Sequence, residues 1–82
     1  MEVRFTEEAG HQFDDLPLAI QARVLTIIDR LKHWPAVSGA KPLRGTLAGH
    51  YRIRTGDWRI VFRVRNDVMI VRILHRSEVY DA

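Results

Sequence analysis

The chain has 82 residues, no cysteine and a formal net charge of +3. This length suits a single hydrophobic core, so we predict one domain over residues 1–82. The lack of cysteine excludes disulfides and thiolate metal ligands, and no stretch approaches the roughly 18 apolar residues that a membrane span needs. Because no apolar leader opens the chain, we expect a cytoplasmic protein with no membrane partner.

The positive charge is concentrated in the second half of the chain. Residues 1–40 carry four Arg or Lys against six Asp or Glu, whereas residues 41–82 carry nine against four. Most of these cations are arginines, whose planar guanidinium binds phosphate through two hydrogen bonds at once. The second half is therefore the candidate surface for a polyanion, and an ordinary solvated surface explains the composition equally well.

The chain opens with a short predicted strand and a short predicted helix. Val3 and Phe5 alternate with charged residues, which is typical of a strand. Thr6 can then cap a helix over residues 7–14, because its hydroxyl accepts a hydrogen bond from the first helical turn.

A second, longer helix is predicted over residues 18–34. Pro17 fits its first turn, and Asp15 or Leu16 is expected to cap it. Pro35 ends it, so the two helices form a hairpin. Its apolar residues recur at three- and four-residue intervals and form one face: Ile20, Val24, Ile27, Ile28, Leu31 and Trp34.

Three strands are predicted in the second half, after an irregular connection over residues 35–49 that is rich in Gly and Pro. They cover residues 50–54, 58–65 and 68–74, with turns at 55–57 and 66–67. In the first two, apolar residues largely alternate with arginine. The predicted fold is α+β in the order β-α-α-β-β-β: a helical hairpin on one face of a mostly antiparallel sheet, with arginine on the other face and a short C-terminal tail. Trp34 and Trp58 are expected to pack in the core.

The second half also contains a long motif, KPLRG over residues 41–45 and GHYRIRTGDWRIVF over residues 49–62, and the chain ends with HRSEVY over residues 75–80. The motif resembles the signature of the RelE/ParE toxins of type II toxin-antitoxin systems. The HRSEVY ending resembles the RelE branch in particular. The order of elements agrees with that family from the opening strand and FTEEA, residues 5–9, to Tyr80.

The resemblance implies a toxin that cleaves translated mRNA on the ribosome, uses no metal or other cofactor, and is neutralised by a cognate antitoxin. The alternative is a ParE-like toxin that inhibits DNA gyrase without cutting RNA. The C-terminal residues His75, Arg76 and Tyr80 favour RNA cleavage over gyrase inhibition.

The resemblance also assigns roles to individual residues. Arg52 and Arg54 are expected to bind RNA phosphates, and Arg59 to stabilise the scissile phosphate. The C-terminal Arg76 and Tyr80 are expected to assist the reaction. Two further cations of the motif, Lys41 and Arg44, extend the predicted phosphate-binding set.

Proton transfer is where the sequence departs from the best-known family pattern, in which lysines occupy the positions of Arg52 and Arg54. A guanidinium stays protonated in proteins and is a poor general base. The candidate acid or base groups are therefore Tyr80, His75 and His50, and the sequence leaves the choice among them open.

Overall fold

The structure is a computed structural model that describes residues 1–78. Two helices, α1 (Glu7–Asp14) and α2 (Leu18–Leu31), pack on a five-stranded sheet, which confirms the α+β prediction. The strands are β1 (Val3–Phe5), β2 (Lys41–Pro42), β3 (His50–Thr55), β4 (Trp58–Val64) and β5 (Val68–His75). Within residues 1–78, no helix is long and apolar enough to cross a membrane.

The sheet has the strand order β1-β5-β4-β3-β2. The meander of β3, β4 and β5 is antiparallel, as predicted, and β1 joins it in parallel beside β5. The strand β2 and a 3-10 helix over Gly45–Leu47 lie inside the connection that was predicted to be irregular. A strand of two residues has no alternation to detect, and its Pro42 is tolerated because β2 is at the sheet edge.

The helix α1 has the predicted bounds. Thr6 is its N-cap, and the Thr6 hydroxyl accepts a hydrogen bond of 3.2 Å from the Ala9 amide. Glu7 and Glu8 lie in the first turn, where carboxylates interact favourably with the helix dipole.

The helix α2 begins at Leu18, as predicted, but its cap and its C-terminal end differ from the prediction. Its N-cap is Pro17 itself, in an extended conformation and without a side-chain cap, so the predicted cap at Asp15 or Leu16 is wrong. Leu16 is instead buried in the core. The α-helix ends at Leu31, because the backbone amides of His33 and Trp34 bond to the carbonyl three residues earlier and not to the one four residues earlier. The Trp34 amide, for example, donates to the Leu31 carbonyl.

The core lies between the helices and one face of the sheet. The ring of Phe62 is fully buried, and its centroid is 5.4 Å from that of Trp34. Trp34 and Trp58 are half-buried against this core, as expected. Its buried residues are Ala9, Leu16, Val24, Ile27, Leu31, Ile53, Ile60, Phe62, Val68, Ile70 and Ile73.

A bulge interrupts the pairing of β4 with β5. Val61 pairs with Arg72 and Phe62 with Ile70, so Val71 is an extra residue. One extra residue inverts the faces of everything that follows it in the strand. Ile70 and Ile73 therefore both face the core, and His75 shares that face.

Candidate nucleic-acid interface

The sheet surface turned away from the helices is built by strand alternation. Arg52 and Arg54 flank the buried Ile53 in β3, so they point away from the core. In the register of β3 and β4, Arg54 lies directly across from Arg59. We call this surface the arginine face. Its cationic side chains are Arg4, Lys41, Arg52, Arg54, Arg59, Arg63 and Arg72.

The centre of the arginine face is positively charged and not neutralised. Among residues 1–78, no carboxylate oxygen lies within 4 Å of Lys41, Arg52, Arg54 or Arg59. Like charges directly opposite each other on neighbouring strands are destabilising, as for Arg54 and Arg59. An anionic ligand would relieve this repulsion.

The cations at the margins of the face are paired with carboxylates. A hydrogen bond to Glu2, helped by the charges of Glu2 and Asp67, raises the pKa of Arg4. The guanidinium of Arg72 lies 3.8 Å from the Glu8 carboxylate. The unneutralised charge therefore lies on β2, β3 and β4, where no carboxylate oxygen of residues 1–78 is within 4 Å of Lys41, Arg52, Arg54, Arg59 or Arg63.

Lys41, Arg52 and Arg54 line a shallow pocket of about 240 Å³ at the β2–β3 edge, together with Arg30 from α2. The Arg30 guanidinium is held by hydrogen bonds to the carbonyl and hydroxyl of Ser38. Four cations around one pocket suit a phosphate group. Arg30 was missed at the sequence level, because no local pattern brings the end of α2 to this edge.

His50 is the candidate acid or base that lies on the arginine face. It pairs across the strands with Arg63, and its Nδ1 atom is buried without a hydrogen-bond partner among the described residues. Buried ring nitrogens normally have a partner, so a buried nitrogen without one is unusual and marks His50 among the site residues.

His75 lies on the opposite, helix-packed face. Its ring packs edge-on against Trp58, with centroids 5.0 Å apart, and its Nδ1 lies 2.9 Å from the Ser77 hydroxyl. The amide of His75 donates to the Glu78 carboxylate, so the ring belongs to a closed local turn. The structure thus separates His75 from Arg59, whose cross-strand partner is Leu74.

The remaining predicted site residues lie at the periphery or outside the described range. The amide of Arg76 donates to the Asp57 carbonyl at 2.7 Å, beside the β3–β4 turn. Arg44 is exposed and precedes the 3-10 helix. Tyr80 lies outside the described residues. Within residues 1–78, no cluster of three His, Asp or Glu side chains is arranged to hold a metal ion.

The fold and this surface define a class of protein, a small α+β domain whose sheet has one basic face. Residues 3–80 match the family described as ParE toxin of type II toxin-antitoxin system, parDE. The chain belongs to this RelE/ParE family of toxins.

The curated relatives carry RelE-type names. Toxin RelG of Mycobacterium tuberculosis is 37% identical over 82 residues, covering 95% of this chain and 93% of the relative. Toxin RelE3 of Methanocaldococcus jannaschii is 31% identical, covering 99% and 97%.

Solved structures have the same fold. The toxin-antitoxin complex RelBE2 of Mycobacterium tuberculosis contains a chain that is 35% identical, with a TM-score of 0.79 and coverage of 93% and 91%. The isolated RelE toxin of Escherichia coli has a TM-score of 0.75 at 19% identity, covering 89% and 81%, which supports the fold alone.

Proposed function

We propose that the chain is a ribosome-dependent endoribonuclease that cleaves translated mRNA and is neutralised by a cognate antitoxin. The observation that carries the proposal is the unneutralised group of Arg52, Arg54 and Arg59 on the arginine face. The RelE-type names of the curated relatives support it. Its site of action is then the translating ribosome in the cytoplasm.

The proposed reaction needs no protein nucleophile and no metal. The 2′-oxygen of the RNA bonds to the neighbouring phosphorus while the bond from phosphorus to the 5′-oxygen breaks. The products are a 2′,3′-cyclic phosphate and a 5′-hydroxyl. One proton leaves the 2′-hydroxyl and one is delivered to the 5′-oxygen.

Three arginines supply binding and charge stabilisation in this proposal. Arg52 and Arg54 hold the phosphates that flank the scissile bond, because a guanidinium donates two parallel hydrogen bonds to a phosphate. Arg59, across from Arg54, holds the negative charge that grows on the scissile phosphate in the transition state. The ribosome positions the mRNA, which a domain of 82 residues is too small to enclose.

We assign proton transfer to His50 ahead of His75. His50 lies on the arginine face, two residues and hence about 7 Å along β3 from Arg52, whereas His75 is on the opposite face. Single-turnover cleavage on programmed ribosomes between pH 5.5 and 9 tests this choice. We expect His50→Gln to slow cleavage and flatten the pH profile.

The matched control is His75→Gln, which makes the same substitution on the other side of the sheet. We expect it to keep the wild-type pH profile. A flattened profile for His75→Gln with an unchanged one for His50→Gln would reverse the assignment. A third variant, Tyr80→Phe, reports on the C-terminal hydroxyl that the family resemblance implicates.

The antitoxin is the second half of the proposal. Several similar structures are toxin-antitoxin complexes, including RelBE2 of Mycobacterium tuberculosis and the RelB-RelE complex of Methanococcus jannaschii. We propose that an antitoxin encoded with this chain binds it and blocks or distorts the arginine face. Electrostatic complementarity favours an acidic segment.

Inhibition of DNA gyrase is the competing function, because the description of the matching family names ParE toxins. One experiment separates the two. The chain is induced without antitoxin, and RNA 5′ ends and plasmid supercoiling are measured in the same cells. New 5′-hydroxyl ends inside translated codons support RNA cleavage, whereas DNA damage with intact mRNA supports gyrase inhibition.

A further inference from the structure

A second pocket opens on the arginine face beside α1. The strand β1 pairs only with Val68–Ile70, so the rest of the β5 edge is free to contact α1. The Thr6 amide donates to the Ile70 carbonyl at 3.0 Å, and the Gln12 side chain accepts from the Ile73 amide at 2.7 Å. This arrangement brings Glu8, from the first turn of α1, to the rim of the arginine face.

The floor of this pocket is apolar. Val61 and Leu74 are only 3% and 6% exposed although they lie outside the main core cluster. Leu47 of the 3-10 helix also lines the pocket, which is open to solvent and has a volume of about 480 Å³. That volume is in the range of small-ligand sites, about 300–1,000 Å³.

The polar groups around this floor are few and distinct. Glu8 and Arg72 offer an acceptor and a donor side by side, 3.8 Å apart. Gln12 also donates to the same Glu8 oxygen, Oε1, so Oε2 has no partner among the described residues. His50 also lines the pocket, and its buried Nδ1 atom has no hydrogen-bond partner within residues 1–78.

We propose that this pocket binds a guanine base of the RNA, with Glu8 and Arg72 as specificity-determining residues. Guanine has two adjacent donors, N1–H and the N2 amino group, which fit one carboxylate, and its O6 and N7 accept from a guanidinium. Adenine, cytosine and uracil lack two adjacent donors. The ring would lie on Val61 and Leu74, in the row next to Arg59.

The existing ion pair does not obstruct this ligand. The side chains of Glu8 and Arg72 are 60% and 49% exposed, and exposed pairs of this kind contribute little to stability. Separating the Glu8 and Arg72 side chains to admit a base therefore costs little free energy. The inference rests on the proposed function and deepens it, because it names the base that the RNA-cleaving site prefers.

The test is a titration of the isolated chain, methyl-labelled for NMR, with the 5′-monophosphates of guanosine, adenosine, cytidine and uridine. We expect guanosine monophosphate to shift the methyl signals of Val61 and Leu74 and to bind about tenfold or more tighter than the other three nucleotides. Glu8→Gln should abolish this preference. Glu7→Gln, the same charge change at an exposed neighbour outside the pocket, should retain it.

The proposal is overturned if no nucleotide shifts the Val61 and Leu74 methyls, if all four shift them equally, or if Glu8→Gln keeps the guanine preference. Cleavage of programmed ribosomes is measured in parallel. Cleavage without guanine binding overturns the proposed guanine site and leaves the proposed function standing. Guanine binding without cleavage supports the pocket and contradicts the proposed function.

Discussion

The two faces of the sheet are made by alternate residues of the same strands and have opposite properties. On the helix-packed face, Ile60 and Phe62 are fully buried. On the arginine face, Arg59 and Arg63 of the same strand are only partly buried and have no carboxylate within 4 Å among residues 1–78. Stability and the proposed ligand binding are therefore encoded at alternating positions, and substitutions can separate them.

Two residues depart from this separation. Val61 and Leu74 lie on the arginine face but are as buried as core residues. In the proposed guanine pocket they form the apolar floor beside the basic groups, an arrangement that suits RNA because bases bind through their faces and phosphates through charge.

The largest effect on stability is expected from the helix-packed face. Phe62→Ala removes a fully buried ring and should lower the free energy of unfolding by about 3–5 kcal/mol. Urea denaturation followed by circular dichroism measures it. The neighbour Arg63→Ala, on the other face, should stay within about 0.5 kcal/mol of wild type. Equal losses for the two variants would contradict the division between the faces.

Antitoxin binding should stabilise the domain by a comparable amount without any contact to the core. A partner that binds only the folded state adds about 4 kcal/mol at a thousandfold excess over its Kd. Calorimetry and melting curves with the product of the neighbouring gene check this expectation. No heat of binding and no change in Tm would remove the partner from the proposal.

The smallest effect is expected from Arg52→Lys and Arg54→Lys. A lysine keeps the positive charge but cannot form the bidentate hydrogen bonds of arginine to a phosphate, so cleavage should persist at a moderately reduced rate. Arg52→Ala and Arg54→Ala, which remove the charge, are the comparison. If the lysine variants are as inactive as the alanine variants, these positions do more than bind phosphate.

Sequence patterns predicted those features of the fold that depend on residues close together in the chain. The cap at Thr6 predicted the start of α1, and alternation in β3 predicted that Arg52 and Arg54 share a face. The bulge at Val71 could not be foreseen, because it arises from pairing between distant strands. It is also the reason that His75 lies away from Arg59.

The site was less predictable than the fold for the same physical reason. Arg30 and Glu8 come from helices in the acidic half of the chain and reach the arginine face only through tertiary packing. The sequence identified His50 as a titratable group, but only the folded chain shows that its Nδ1 atom is buried and that no group of residues 1–78 bonds to it.

Single-turnover cleavage of a defined mRNA on programmed ribosomes tests the central claim most directly. The wild-type chain should produce 5′-hydroxyl ends within the codon, and Arg59→Ala should lower the rate by about 10²–10³ while its circular dichroism and unfolding curve stay unchanged. Arg65→Ala, in the exposed turn after β4, is the matched control and should cut at the wild-type rate. A folded Arg59→Ala chain that cuts as fast as wild type would contradict the claim.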